Sequence, residues 1–262
     1  MSEGNIVAER DGHLGRVIFD NQAKLNAVSK AMWDALSDAM ASFDADEDVR
    51  VIVLEGAGNK AFVSGADISK FENERANADR IKEYGASVNR AYASVQNAVT
   101  PTIAKIAGYC YGGGMGIAVC CDLRICSDDS SFCIPAAKLG VGYGHENTRV
   151  LMSLVGPSFT KEIFYTGRRF DAGEAQSMGL VNRVLPRAEL ADYVRRYVDT
   201  MAANAPLSLK TTNLIVNELL KDPANQDLDL CRQLVDDCAR SEDIEEGRKA
   251  FMEKREPAFI GR

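Results

Sequence analysis

The hydrophobic positions in the first half of the chain follow two different periods. Short runs rich in β-branched residues predict strands over residues 16–19, 51–54 and 102–106. Between the first two of these, apolar residues recur every three to four positions and predict an amphipathic helix over residues 29–43, with Ser29 as its N-cap. This alternation of strands and helices favours a layered α/β domain.

Strand signals continue to about residue 184 and then stop. Further apolar runs predict strands over residues 123–126, 131–134 and 181–184, whereas residues 71–99 have the pattern of a polar helix. From residue 188 onward the pattern is helical, with breaks at Pro206 and Pro223. We therefore predict a core over residues 1–199 and a helical C-terminal subdomain over residues 200–262.

Charge and composition exclude several classes of partner. The 262 residues are 46% hydrophobic and carry a net charge of −7, which argues against a surface for nucleic acid or anionic membrane. No apolar run approaches the roughly 20 residues of a membrane helix, and the N-terminal residues lack the pattern of a signal peptide. We expect a soluble, cytoplasmic protein without a nucleic-acid or membrane partner.

Cysteine usage indicates reduced thiols in the core. Five of the seven cysteines lie between residues 110 and 133, in predicted buried elements, and no CxxC spacing occurs. The chain has only two histidines and no ligand spacing typical of zinc sites. We predict no metal site.

Two turns of small residues each follow a predicted strand. Residues 61–68 read AFVSGADI, and residues 108–116 read GYCYGGGMG and lead into an apolar helix. Each turn alone is weak evidence, because glycines also permit tight packing, and GGGMG lacks the G-x-G-x-x-G spacing of a dinucleotide site. Two such turns, however, can supply the two backbone donors of an oxyanion hole for a thioester.

Longer segments resemble one protein family. KAFVSGADI, AGYCYGGGMGIAVCCDLR and LGVGYG, with AKLNA before them and AFMEKR after them, are similar to landmarks of the crotonase (enoyl-CoA hydratase/isomerase) family, in its order, from about residue 23 to residue 255. The resemblance implies a spiral of ββα units with a helical C-terminal region, assembled as a homotrimer or dimer of trimers. It also implies an acyl-CoA substrate and no cofactor beyond the coenzyme A of that substrate.

The resemblance assigns roles to the two turns. In relatives, the oxyanion amides belong to the residues that match Ala66 and Gly113 here, where they polarise the thioester carbonyl. Ser64 and Tyr111 flank these amides and are candidates for contact with the acyl group. Packing is the alternative role for both side chains.

The resemblance also implies which positions of this chain contact coenzyme A. Backbone near the LNA segment and the GADI turn binds coenzyme A in relatives, and a lysine near the C-terminus meets its nucleotide phosphate. The matching positions are Lys24, Leu25, Ala27, Ala66, Ile68 and Lys254. For the two lysines, a solvated surface charge is the alternative.

The sequence departs from the hydratase pattern at two positions. Hydratases of the family carry one glutamate two residues after GGG and another just after a proline, whereas this chain has Gly116 and Ala136 there. Without those carboxylates, the two-glutamate mechanism of hydration cannot be assigned. The remaining titratable candidates follow on the next loop and are Tyr143, His145 and Glu146.

Three functional hypotheses follow. The first is an acyl-CoA enzyme that stabilises a thioester enolate, with Tyr143 or Glu146 transferring the proton. The second is a decarboxylase or C–C lyase acting on a malonyl-type CoA, since Tyr143 resembles a tyrosine of the family's methylmalonyl-CoA decarboxylase, although that enzyme has histidine where this chain has Ala66. The third is a catalytically inactive acyl-CoA binder.

Overall fold

The computed structural model describes residues 4–70, 74 and 76–262, which form two sheets and nine helices. The strands are Asn5–Asp11 (β1), Leu14–Asp20 (β2), Val51–Gly56 (β3), Ala61–Val63 (β4), Thr102–Ile106 (β5), Tyr109–Tyr111 (β6), Leu123–Ser127 (β7), Ser131–Cys133 (β8), Phe170–Asp171 (β9) and Arg183–Leu185 (β10). The helices are Lys30–Asp44 (α1), Ala78–Gln96 (α2), Gly113–Cys120 (α3), His145–Thr166 (α4), Ala172–Ser177 (α5), Arg187–Ala203 (α6), Pro206–Leu219 (α7), Leu228–Ala239 (α8) and Glu242–Glu253 (α9).

Successive strands alternate between the two sheets. The larger sheet has the order β1-β2-β3-β5-β7-β10 and is parallel except at β1, and the smaller has the order β4-β6-β8-β9. Each pair β3-β4, β5-β6 and β7-β8 therefore places one strand in each sheet before a helix follows, which is a repeated ββα unit. Because β4 and β6 are parallel neighbours, the turns that follow them lie side by side.

Both faces of the larger sheet are covered, which explains its nearly continuous hydrophobic strands. One face packs on the main core with α1, whose Trp33, Leu36 and Met40 are buried. The opposite face packs on α6 through Leu190 and its neighbours in a second apolar cluster. Ser29 caps α1 as predicted, since its hydroxyl accepts a hydrogen bond from the amide of Met32.

Most predicted elements are confirmed, and the differences concern several short strands and β1, which the sequence pattern did not predict. The polar helix predicted over residues 71–99 appears as α2, although residues 71–73 and 75 lie outside the described residues. The glycine-rich segments predicted as turns contain β4 and β6, which are only three residues long. The predicted strand over residues 181–184 is shifted and runs from Arg183 to Leu185.

The chain after β10 is helical. The predicted division at residue 199 falls inside α6, and the separation into two domains stays a prediction. The last helix, α9, leaves Phe251 and Met252 largely exposed, at 82% and 76% of their surface. Among the described helices, none is both long and apolar enough to span a membrane.

Candidate active site

The turn after β4 is held by the chain segment before α1. Gly65 has a φ of 118°, which residues with a side chain rarely adopt. Its carbonyl accepts a hydrogen bond from the amide of Val28 at 2.8 Å, and the carbonyl of Val28 accepts one from the amide of Asp67 at 2.9 Å. The amide of Ala66 lies between these two bonds and has no acceptor within the described part of the chain.

The turn after β6 leads directly into α3. The amide of Gly112 donates to the carbonyl of Cys133, and Gly113 is the first residue of the helix, where amides lack intrahelical acceptors. A Cβ on Gly114 would lie 2.2 Å from the carbonyl oxygen of Val63, so only glycine allows α3 to pack this closely on β4.

The amides of Ala66 and Gly113 are brought together by this packing. A Cβ built on Gly113 would lie 3.8 Å from the amide nitrogen of Ala66, and one built on Gly65 would lie 4.0 Å from the amide nitrogen of Gly113. The N-terminus of α3 carries partial positive charge, which favours a developing negative charge beside it. Two adjacent amides of this kind are the arrangement that stabilises an oxyanion.

A cavity of about 620 Å³ opens in front of the two amides. Its walls come from both turns, from one face of α2, and from the loop that leads into α4. Six residues predicted as site residues line it: Ser64, Ala66, Ile68, Gly113, Tyr143 and Glu146. The structure thus gathers both turns and the titratable loop around one space.

Tyr143 is the more buried of the titratable groups on that loop. Its ring packs against Phe164 with 5.1 Å between centroids and contacts the main core. Burial raises the pKa of the Tyr143 phenol above its ordinary value. A phenol with a raised pKa is neutral at physiological pH and has an O–H that can donate a hydrogen bond.

Glu146 and His145 begin α4 and are exposed. The Glu146 side chain retains 66% of its surface and lies 3.4 Å from the imidazole of His145, which retains 92%. Glu146 lines the cavity, whereas His145 does not. Among the described residues that line the cavity, Glu146 is the only one with a carboxylate.

Comparison with known proteins agrees with the geometry. The family model described as enoyl-CoA hydratase/isomerase matches residues 9–262. The chain belongs to the enoyl-CoA hydratase/isomerase family. It is 30% identical to a crotonyl-CoA hydratase of Syntrophomonas wolfei, with 100% of both chains covered, and 32% identical to a carnitinyl-CoA dehydratase of Escherichia coli O157:H7, again over 100% of both.

Solved structures give the same result for the fold. A protein of Magnetospirillum magneticum, described as an enoyl-CoA hydratase/carnithine racemase, superposes with a TM-score of 0.91 at 33% identity, covering 98% of this chain and 96% of the other. The crotonase fold expected from the sequence is thereby confirmed.

Positions 116 and 136, where the family resemblance implies glutamate in hydratases, carry no titratable side chain in this chain. Ala136 is 6% exposed and lines the cavity, and Gly116 is buried in α3. Neither residue can transfer a proton. In this member of the enoyl-CoA hydratase/isomerase family, the titratable side chains of the described cavity lining come from other positions, among them Tyr143 and Glu146.

The residues expected to contact coenzyme A mostly connect the LNA segment with the GADI turn. The Lys24 ammonium lies 2.7 Å from the Asp67 carboxylate and 2.6 Å from the Ser69 hydroxyl. Ser64 donates from its hydroxyl to the carbonyl of Lys24 at 3.2 Å. Leu25 adopts a positive φ of 54°, and Ala27 is buried. The side chain of Lys24 thus has an intramolecular partner already.

Two further predicted residues lie outside the cavity lining. The hydroxyl of Tyr111 is 3.0 Å from that of Ser131, and the guanidinium of Arg169 lies over its ring. Lys254 caps the C-terminus of α9 with a φ of 55° and is exposed. Their assignment to acyl and coenzyme A binding stays a prediction.

The sequence pattern of residues 71–99 did not indicate which side chains of α2 line the cavity. Tyr84 and Tyr92 line the cavity from this helix, Trp33 lines it from α1, and Asn147 and Arg149 line it from α4. The indole of Trp33 donates to the hydroxyl of Tyr84 at 3.1 Å. Tyr84, Val88 and Tyr92 are spaced four residues apart, which would have placed them on one face of the predicted helix.

The cysteines do not add reactive groups to this site. All seven are free, and the five between residues 110 and 133 are buried as predicted. Burial raises the pKa of Cys120 to about 12, and raises that of Cys110 as well. Within the described residues, no three His, Cys, Asp or Glu side chains are grouped to hold a metal ion.

Proposed function

We propose that this protein transforms an acyl-CoA thioester through its enolate, which is held between the amides of Ala66 and Gly113. The observation that carries the proposal is the convergence of these two amides, neither with an acceptor in the described part of the chain, on one cavity. Each oxyanion donor is worth about 2.7–4 kcal/mol of transition-state stabilisation. The pair therefore supplies a large part of catalysis without any titratable side chain.

We propose Glu146 as the base that removes the α-proton. It carries the one carboxylate of the described cavity lining, and its position in the first turn of α4 leaves it accessible. A single base can take a proton from one carbon and return it to another, which is double-bond isomerisation. Tyr143, which is neutral, is proposed to donate a hydrogen bond or proton to the acyl group.

Coenzyme A binding is proposed at the mouth formed by the GADI turn and the LNA segment. Ile68 lines the cavity and is 63% exposed. The carbonyls of Lys24 and Leu25 accept hydrogen bonds from Ser64 at the start of the turn. Ala27 precedes Val28, whose amide donates to the carbonyl of Gly65. The salt bridge between Lys24 and Asp67 supports a role for Lys24 in fixing this mouth. We also propose that Lys254 contacts the nucleotide phosphate of coenzyme A. The proposed assembly is a homotrimer or a dimer of trimers.

The deciding experiment measures hydrogen–deuterium exchange at the α-carbon of saturated, enoyl and malonyl-type CoA thioesters. Exchange of saturated or enoyl thioesters supports the proposal. Release of CO2 from the malonyl-type thioester without exchange of the others would favour the C–C lyase hypothesis. Binding of coenzyme A esters with neither reaction would leave the inactive binder.

The role of Tyr143 is tested in the same assay. Tyr143→Phe keeps the packing on Phe164 and removes the hydroxyl. Tyr165→Phe is the matched control, because Tyr165 is 75% exposed on α4 and does not line the cavity. We expect slower exchange in the first variant and an unchanged rate in the second.

A further inference from the structure

Tyr92 occupies the space into which a side chain at position 116 would project. A Cβ built on Gly116 would lie 2.3 Å from the hydroxyl oxygen of Tyr92 and 2.6 Å from its Cζ. The ring of Tyr92 is fixed edge-on against Trp33, with 5.5 Å between centroids. A phenol from α2 thus stands beside the position that carries a carboxylate in the family's hydratases.

The hydroxyl of Tyr92 is only weakly engaged by the protein. Its acceptor is the carbonyl of Gly113, at 3.4 Å, whereas hydroxyl hydrogen bonds are usually about 2.7–2.8 Å. Burial raises the pKa of the Tyr92 phenol well above its ordinary value, so the group is neutral at physiological pH. The hydroxyl can therefore donate a hydrogen bond to a ligand oxygen that lies closer than the carbonyl of Gly113.

Further polar side chains line the cavity beyond Tyr92. Gln96 lines the cavity one helical turn beyond Tyr92, about 6 Å further along α2. Arg149 lines it from α4 and has no ion-pair partner among the described residues. Asn147 also lines the cavity from α4, and its side-chain amide donates to the carbonyl of Gly116 at 3.3 Å. An unsubstituted hydrocarbon chain would leave the hydroxyl of Tyr92 with only its long hydrogen bond to the carbonyl of Gly113.

We infer that the cavity binds an acyl group that carries an acceptor oxygen a few atoms beyond the thioester, and that Tyr92 donates a hydrogen bond to it. This inference rests on the proposed function, because it assigns the substrate class of the same site. The acceptor is either a neutral oxygen, such as a hydroxyl or keto group, or a carboxylate. A carboxylate would also be stabilised by Arg149.

The test uses CoA thioethers, which lack the thioester carbonyl and do not turn over. S-butyl-CoA, S-(3-hydroxybutyl)-CoA and S-(2-carboxyethyl)-CoA are titrated calorimetrically into the full-length protein. Tyr92→Phe keeps the ring and removes only the hydroxyl. We expect it to weaken binding of the oxygen-bearing analogues by about 3- to 10-fold, the value of one neutral hydrogen bond, and to leave S-butyl-CoA unchanged.

Two further variants complete the design. Arg149→Gln shows whether the acceptor oxygen belongs to a carboxylate or to a neutral group. If the variant binds only S-(2-carboxyethyl)-CoA more weakly, by about 10-fold or more, the acceptor is a carboxylate. If no affinity changes, the acceptor is a neutral oxygen. Tyr165→Phe removes an exposed hydroxyl outside the cavity and is the control for Tyr92→Phe.

The outcomes that overturn the inference are distinct from failure of the proposed function. Equal weakening of all three analogues by Tyr92→Phe, or tighter binding of S-butyl-CoA than of both others by the wild type, would refute the substrate class alone. No binding of any analogue or of free coenzyme A would refute acyl-CoA binding, and the inference with it.

Discussion

The two halves of the candidate site are built in different ways. The oxyanion half consists of backbone held between β4, β6 and α3, where a Cβ on Gly114 would collide with the carbonyl of Val63. The proton-transfer half lies on the loop into α4, where Leu139 and Val141 are 61% and 45% exposed and Glu146 retains 66% of its side-chain surface. The first half depends on topology and the second on side chains, of which Glu146 is exposed and Tyr143 is partly buried.

This difference separates the carbonyl-binding part of the proposed mechanism from its proton-transfer part. The position of the amides of Ala66 and Gly113 follows from parallel pairing of β4 with β6, which side-chain substitutions on other elements leave intact. The groups that move protons are not bound by that pairing. In the proposed mechanism, the absence of carboxylates at positions 116 and 136 therefore limits the acid–base groups at the site and leaves the two amides in place.

The largest effect is expected on the exposed half. Glu146→Gln keeps the side-chain shape and removes the base, so α-proton exchange should slow by about 10²- to 10⁴-fold. The matched control is Glu245→Gln, which alters an exposed glutamate in the first turn of α9. An unchanged exchange rate in Glu146→Gln would show that the base is another residue.

The next largest effect is expected on the backbone half. Gly113→Pro removes the amide hydrogen at the first position of α3, where helices tolerate proline, and should lower kcat by about 10²- to 10³-fold. Gly113→Ala keeps the amide and introduces the same Cβ, which would lie 3.0 Å from the ring of Trp33. Only the loss in excess of that seen with alanine measures the amide, and equal losses would refute its role.

The sequence predicted the backbone half better than the side-chain half for a physical reason. A turn that exposes amides requires small residues at fixed positions, and Gly65, Ala66, Gly112 and Gly113 are visible in the sequence as two strand-to-helix motifs. Family resemblance then indicated which amides to choose. The strands β4 and β6 are three residues long and run directly into the glycine-rich turns, so their pattern was interpreted as part of those turns.

The residues of the cavity wall could be identified only from the three-dimensional structure. Tyr92 is 24 residues before Gly116 in the chain, and nothing in a polar helix pattern indicates that its hydroxyl fills the space beside that glycine. The same limitation applies to Trp33, whose pairing with Tyr84 joins α1 to α2 across 51 positions. Contacts between distant helix faces depend on helix crossing and rotation, which local patterns do not determine.

A smaller effect is expected on the free energy of unfolding, which can be compared between a glycine of α3 and a glycine of the exposed loop. Gly116→Ala forces its Cβ against Tyr92 and should lower the free energy of unfolding by about 1–3 kcal/mol in urea. Gly142→Ala is the matched control on the exposed loop, where a built Cβ meets nothing within 4 Å. In a double-mutant cycle with Tyr92→Ala, the cost of Gly116→Ala should shrink, and additive effects would show that Tyr92 is not the obstacle.

The smallest effect concerns the salt bridge that joins the two loops at the cavity mouth. Burial raises the pKa of the Asp67 carboxyl, but hydrogen bonds from Lys24 and Ser69 outweigh this and hold the pKa below its ordinary value. Because the folded pKa is depressed, the contribution is fully present above the unfolded pKa of about 3.9 and is lost as pH falls through the folded value. Asp67→Asn should therefore cost about 1 kcal/mol at pH 7, since the ammonium of Lys24 is partly solvated, and the difference from wild type should disappear in acid. A difference that persists unchanged at low pH would assign the effect to packing of the turn and not to the charge of Asp67.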